Sequence, residues 1–266
     1  MIKSNLHTHS TYSDGKNTLE EMIETAIEKG FVSLGFSDHG YTDFDTSYCI
    51  SREGELEYRR ELIGLKEKYR GQLDIFSGIE MDCFGDAPDY DYDYTIGSVH
   101  YVKANGAYHT IDLGRDSQRA IVEEQFGGSF NDMAKAFYEQ AAEAVILRKP
   151  DIVGHFDLIT KYSLFDTEDP VYRDAALSAL REVMKHCTLF EVNTGAIARG
   201  LRTNPYPDDF LLREIQQRGG RVILGSDCHY REKLDVWFTE GVQYIRSLGF
   251  KSISRLTPSG FVEDTI

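Results

Sequence analysis

Cysteine is scarce in this chain. Cys49, Cys83, Cys187 and Cys228 are the four, and no two stand in a C-x-x-C pair. That argues against a finger-type structural zinc site and, at 266 residues, against a disulfide scaffold. Free thiols suit a reducing compartment, so the expected location is cytoplasmic. No apolar run approaches ~18 residues, so no membrane span is expected. No apolar stretch precedes position 7, so no leader peptide is expected either. Positive charge is also in short supply, with 29 Lys+Arg against 44 Asp+Glu and a net charge of -15. A surface of that sign repels nucleic acid and anionic membrane, and neither is an expected partner. An anionic substrate would need locally concentrated positive charge, which bound divalent cations would supply.

Helix and strand patterns alternate along what remains. Thr18-Leu-Glu-Glu21 spells a capping box. Leu19, Met22, Ile23, Ala26 and Ile27 follow at helical spacing, and Gly30 stops the helix. A strand is expected over 31–36, then a charged helix over 52–69 with Leu56, Leu62, Ile63 and Leu65 facing inward. Strands over 73–79 and 94–99 come next. Residues 101–128 give no clear pattern, with Gly106, Gly114, Gly127 and Gly128 interrupting them. Helices over 129–147, 171–185, 208–218 and 233–247 alternate with strands over 151–154, 189–192 and 221–224. An extended segment near 250–256 follows. Seven βα units in tandem, with continuous apolar strands and no Pro/Ser-rich linker, predict one α/β domain over 1–266. A closed, TIM-like barrel of about seven strands is the expected architecture, and a doubly wound open sheet is the alternative.

Ionisable residues fall at the ends of these strands. His7-Thr8-His9 ends the first, with Asp14 in the adjoining loop. Histidines two apart on an extended segment project to one side, and imidazole is the commonest metal ligand near neutral pH. Ser37-Asp38-His39 ends the second strand, Glu80 the third, His100 the fourth, His155 the fifth, and Ser226-Asp227-Cys228-His229 the seventh. Any one of these could be a hydrogen-bonded core histidine or a capping carboxylate. Six strand ends with the same chemistry point to a metal cluster at the C-terminal mouth, where barrel enzymes gather functional residues. His7, His9, Asp14, His39, Glu80, His100, His155, Asp227 and His229 make nine candidate ligands. One zinc takes about four, so the set fits three ions sharing a carboxylate. Imidazole mixed with carboxylate suits Zn, Fe or Mn. His186, near a helix C-terminus, reads as structural, and His109 is left unassigned.

The series H-x-H-x4-D, S-D-H, G-I-E, S-V-H, G-H and S-D-x-H resembles the PHP (polymerase and histidinol phosphatase) family, in order and spacing over the whole chain. The S-V-H-Y and N-T-G stretches look most like its monofunctional histidinol-phosphatases. The resemblance implies a distorted (β/α)7 barrel with a trinuclear centre. His7, His9, Glu80 and Asp227 would hold the first ion, Glu80 with His100 and His155 the second, and Asp14, His39 and His229 the third. Some members have histidine where Asp14 stands, so the third site can differ in metal preference.

The resemblance implies hydrolysis of a small phosphomonoester, L-histidinol phosphate, and a hydroxide bridging the Glu80-linked ions is the expected nucleophile. Arg199, in Asn193-Thr-Gly-Ala-Ile-Ala-Arg199, suits phosphate, or else is a surface arginine pairing with Asp208 or Asp209. Lys161 is a second candidate for phosphate. His39 or Asp38 could serve as leaving-group acid. Acidic, aromatic loops at 41–48 (Asp43, Phe44, Asp45) and 82–94 (Asp86, Asp89, Tyr90, Asp91, Tyr92, Asp93) would rim the mouth and meet a cationic amine. Competing readings are a PHP phosphoesterase for nucleotides or phosphotyrosyl protein, a non-catalytic PHP module, and an amidohydrolase-type C–N hydrolase.

Overall fold

The computed structural model describes residues 2–266. The chain runs through β1 (Ser4–Asn5), α1 (Leu19–Glu28), β2 (Ser33–Phe36), α2 (Arg52–Lys68) and β3 (Asp74–Asp82). β4 (Tyr94–Ser98) follows with no helix between. A hairpin of β5 (Tyr101–Ala104) and β6 (Ala107–Thr110), then α3 (Arg115–Gln125) and α4 (Phe130–Arg148), leads to β7 (Ile152–Val153). Next come α5 (Pro170–Val183), β8 (Leu189–Asn193), the short α6 (Gly195–Ala198), α7 (Asp209–Gln217), β9 (Arg221–Gly225) and α8 (Phe238–Ser247). A second hairpin, β10 (Ser252–Thr257) and β11 (Gly260–Thr265), follows.

The main sheet has seven strands in the order β1-β2-β3-β4-β7-β8-β9, every neighbouring pair parallel. The order never reverses, as it must in a doubly wound sheet. The result is the expected distorted, TIM-like barrel, nearly closed. Its last joint is thin. Beyond β1 and β9 one bridge pairs Thr8 with Cys228, and His9 N donates to Cys228 O at 3.0 Å. Asn5 reinforces the seam: its Nδ2 donates to Ser226 Oγ at 2.5 Å, and its Oδ1 accepts from Ser226 N at 3.3 Å.

Side-chain alternation divides the apolar residues into two cores. Phe190, Val192, Val222 and Leu224 face outward and pack with the helices. Leu6, Phe76, Tyr94, Ile96, Ile152, Leu189 and Ile223 form a separate cluster with no helical member, closed below by Leu256 of β10. These residues fill the lower barrel. Tyr94 crosses it: its hydroxyl donates to Leu6 O, and its ring lies where a Cβ at Gly35 or Gly78 would be. Above this cluster the next inward positions are glycine or polar (Thr8, Gly78, Ser98, Gly154, Glu191, Gly225), so the barrel has an apolar floor and an ionisable mouth.

Several elements differ from expectation. The link 83–93 carries the chain from β3 to β4 without a helix, so one of the seven units is incomplete. The inner face of α2 is Glu55, Tyr58, Leu62 and Leu65, while Ile63 is 66% exposed and Leu56 only half-buried. Residues 101–128 form a hairpin and helix α3. α8 begins at Phe238, after a 3₁₀ turn at Arg231–Lys233 and a left-handed Trp237 (φ 66°). The capping box forms as read, with Thr18 Oγ1 accepting from Glu21 N at 3.2 Å and Glu21 Oε2 from Thr18 N at 2.9 Å. All four cysteines are free. Among the described residues no helix is long and apolar enough to cross a membrane.

Gly78→Ala should force the buried Tyr94 ring aside and cost about 1–3 kcal/mol, the usual range for overpacking. A urea-denaturation midpoint equal to wild type would show that the ring does not need this space.

Candidate metal centre

All nine candidate ligands meet at the mouth, and Glu80 is their hub. It extends from β3 and is 1% exposed. Its Oε2 lies 3.2 Å from His7 Nε2, 3.5 Å from His9 Nε2 and 3.0 Å from His39 Nδ1. Its Oε1 lies 3.0 Å from His155 Nε2 and 3.5 Å from His100 Nε2. Asp227 Oδ1 is 3.3 Å from His9 Nε2 and 3.9 Å from His7 Nε2. Asp14 stands on the other side, with Oδ2 3.1 Å from His229 Nε2 and Oδ1 3.8 Å from His39 Nε2. These donors form four overlapping groups, each compact enough for one cation: His9-Asp14-His39-His229, His7-Glu80-His155, His7-His9-Asp227 and His39-Glu80-His100. Asp227 adopts φ 47°, a left-handed backbone that costs a non-glycine residue roughly 1–2 kcal/mol.

The charges in this space are strongly coupled. Burial raises the Glu80 carboxyl, but the rings of His7, His39 and His100 hold it well below the usual range. Burial likewise opposes ionisation of Asp227, and Arg199, His9 and His7 outweigh it. Burial pushes His39 down, while Glu80 and Asp14 raise it to about 9. His7 is raised well above normal by Glu191 and Glu80 against its burial. Burial and the neighbouring His229 and His39 rings push His9 down to about 3. His7 Nε2, both ring nitrogens of His9, Asp14 Oδ1, Glu80 Oε2 and His155 Nδ1 are buried without a hydrogen-bond partner. Each such group costs about 1–3 kcal/mol. Nitrogen and oxygen donors left over in one spot are what divalent cations bind, so the residues fit the metals.

Behind the cluster stand two carboxylates that sequence reading missed. Glu191 Oε1 accepts from His7 Nδ1 at 2.7 Å, and Asp82 Oδ2 contacts His100 at N (2.9 Å) and Nδ1 (3.1 Å). Their signal was inward parity: Asp82 is two residues past Glu80, and Glu191 is two past the interior Leu189. Asp38 points elsewhere. Its carboxylate accepts from Ser10 N and Oγ at 2.8 and 2.9 Å, and from Ser13 N and Oγ at 3.2 and 2.6 Å. It fixes the loop that presents Asp14, which leaves it no free edge for acid catalysis. His109 lies on β6 and His186 past α5, both outside the cluster.

A cavity of about 260 Å³ opens over the cluster, lined among others by Tyr48, Tyr101, Asp112, Leu158 and Arg199. Arg199 pairs with Asp227 (Nη2–Oδ2 2.9 Å) and not with Asp208, which Arg202 takes. Lys161 is nearly buried, bonded to Asp112, and lines a neighbouring cavity that Arg199 also borders. The 41–48 loop does rim the mouth, through Asp45, Ser47 and Tyr48. The 82–94 loop does not. Asp86 and Asp89 pair with Arg52, Asp93 pairs with Lys66, and Arg59 stacks on Tyr90 and Tyr92, so it lies along α2. The hairpin side of the mouth is supplied by Tyr101, Thr110 and Asp112.

A parallel barrel with histidines and carboxylates gathered at the C-terminal mouth is the architecture of a metal-dependent barrel hydrolase. The PHP domain profile matches residues 5–195, and the chain belongs to that family. It is 30% identical to a "Probable histidinol-phosphatase" of Deinococcus radiodurans, over 96% of each chain. It is 27% identical to the "Histidinol-phosphatase" of Bacillus subtilis, over 86% of this chain and 94% of that one. In fold it is similar to the histidinol phosphate phosphatase of Lactococcus lactis subsp. lactis, solved with zinc, L-histidinol and phosphate. That match has a TM-score of 0.73 and 17% identity, and covers 98% of each chain.

Ligand nitrogens must be unprotonated, yet His39 (about 9) and His7 are raised in the metal-free protein. Metal loading at pH 7 should therefore release protons, and affinity should climb as pH rises toward about 9. Calorimetry in buffers of different ionisation enthalpy measures this. Binding heats that do not depend on the buffer would mean that the rings are already neutral.

Proposed function

We propose that this chain hydrolyses L-histidinol phosphate to L-histidinol and phosphate. The observation that carries the reading is the nine-donor cluster around Glu80 at the floor of a small-molecule cavity that also exposes an arginine. The names of the full-length relatives and the ligands of the Lactococcus lactis structure support the substrate. The proposed cofactors are three divalent ions, zinc, iron or manganese. His7, His9, Glu80 and Asp227 would hold one, Glu80, His100 and His155 the second, and Asp14, His39 and His229 the third. When bound, the ions would neutralise phosphoryl oxygens, ease ionisation of a water and take up charge on the departing alcohol oxygen. The four free thiols support a cytoplasmic location.

The protein's own groups complete the task. Arg199 is tethered to Asp227 through one edge and is about one-third exposed, so its remaining N–H groups can meet a phosphate oxygen at the cavity. Lys161 is held by Asp112, so its charge acts from beside the site. His39 lies within two donor groups and is better placed as a ligand than as an acid. The cavity lining beside the cluster offers Asp45, Tyr48, Tyr101 and Asp112 to an ammonium and an imidazole. A volume near 260 Å³ favours a compact substrate over a nucleotide or a phosphotyrosyl protein.

Phosphate release should be measured on L-histidinol phosphate, nucleotides and phosphotyrosine, with metal content determined on the same sample. Histidinol phosphate should dominate; equal turnover on all three removes the specificity. Arg199→Ala should lower kcat/KM by roughly ten- to a hundredfold, the worth of one charge-assisted contact of about 1.5–3 kcal/mol, while metal content holds. Wild-type kinetics would remove Arg199 from the site.

A further inference from the structure

We propose that Glu191 is a positioning residue of the metal centre, a single carboxylate that aims His7 and ties it to His155. The inference rests on reading the nine-donor cluster as a metal centre, and adds a tenth residue that binds no ion itself. Among the described residues, β8 is the one barrel strand without a candidate ligand. Glu191 occupies its middle, faces the barrel interior and is 2% exposed. A carboxylate so deep is stable only when its oxygens are fully engaged. No lysine or arginine reaches it among the described residues; its partners are His7 Nδ1 at 2.7 Å, His155 N at 3.1 Å and Asn193 Nδ2 at 2.9 Å.

That arrangement has a directional consequence. With Nδ1–H donating to Oε1, the lone pair of His7 belongs to Nε2, which faces Glu80 and Asp227 at 3.2 and 3.9 Å. The other oxygen, Oε2, holds the main chain of His155, whose own Nε2 is 3.0 Å from Glu80. One rigid group therefore sets the spacing of two histidines that arrive from opposite parts of the ring and belong to different proposed ions.

Gly225 supplies a separate sign that the fold makes room for this carboxylate. A Cβ there would collide with Glu191 Oε1 and stand 2.9 Å from Cδ and 3.1 Å from Cγ. Gly225 is not among the residues with positive φ, so glycine is required there by space and not by backbone conformation.

The test uses the full chain loaded with zinc and, separately, with cobalt as a spectroscopic probe. Glu191→Gln keeps the shape but places an amide N–H₂ against donors. Zinc affinity, measured by chelator competition, should fall about ten- to a hundredfold, the usual effect of losing such an outer partner. The loss should fall on the ions held by His7 and His155, while the ion held by Asp14, His39 and His229 stays. The cobalt spectrum should change, and kcat should fall with KM nearly constant. Gly225→Ala keeps the charge but displaces it, and should give the same pattern. Either variant binding zinc as wild type, with an unchanged cobalt spectrum, overturns the proposal. So does a loss confined to the thermal midpoint of the metal-free protein, which marks a purely structural role. A wild-type chain that binds no metal instead overturns the reading of the cluster.

Discussion

A buried carboxylate in contact with five imidazoles is the constraint on which the rest of this structure depends. Glu80 can be ionised at the centre of the barrel only because His7, His9, His39, His100 and His155 surround it. Barrel closure is what brings them there. β1 and β7 stand four places apart in the sheet, about 19 Å if it were flat. The rings of His7 and His155, which follow those strands, have centroids 5.6 Å apart. An open sheet with the same strand ends would spread these ligands along an edge and leave Glu80 without counter-charge. Fold and site are thus one requirement: the ring must be narrow enough for side chains to meet across it. An apolar plug led by Tyr94 below keeps water out of the floor.

Much of the site could be read in the sequence because strand ends are marked by position. His-x-His, S-D-H and S-D-x-H each stop an apolar run, and a barrel directs every such stop to the same mouth. Glu191 and Asp82 were not legible by that rule. Glu191 sits within its strand, and Asp82 extends one already assigned its ligand; only the inward parity of β8 and β3 exposes them. The acidic loop after β3 was misplaced for a topological reason. A link with no helix must return along the outside of the barrel, and there its aspartates meet Arg52 and Lys66 of α2. That contact also explains the inner face of α2. Tyr58 donates to Gly78 O and Glu55 accepts from Tyr92, so polar-tipped residues took places expected for Leu56 and Ile63. Residues 101–128 were obscured by glycines that turn out to be hairpin and helix boundaries.

Net charge and local charge are separated in this molecule. A chain of net -15 keeps Arg199 and Lys161 beside the histidine-rich centre, each held by an aspartate of the mouth. These pairs fix both cations beside the cluster.

The joint between β9 and β1 has a consequence for durability. Hoop strength in a barrel comes from hydrogen bonds around its circumference, and here the strands of the last span are joined by one bridge and an asparagine, with Lys16 N to His229 O (2.8 Å) linking the loops above. His9 and Asp227 sit on opposite lips of that span, 3.3 Å apart. An ion gripping both would rivet the hoop at its weakest point. Parting the lips would then require releasing the ion, so mechanical integrity and cofactor retention in this barrel become a single property.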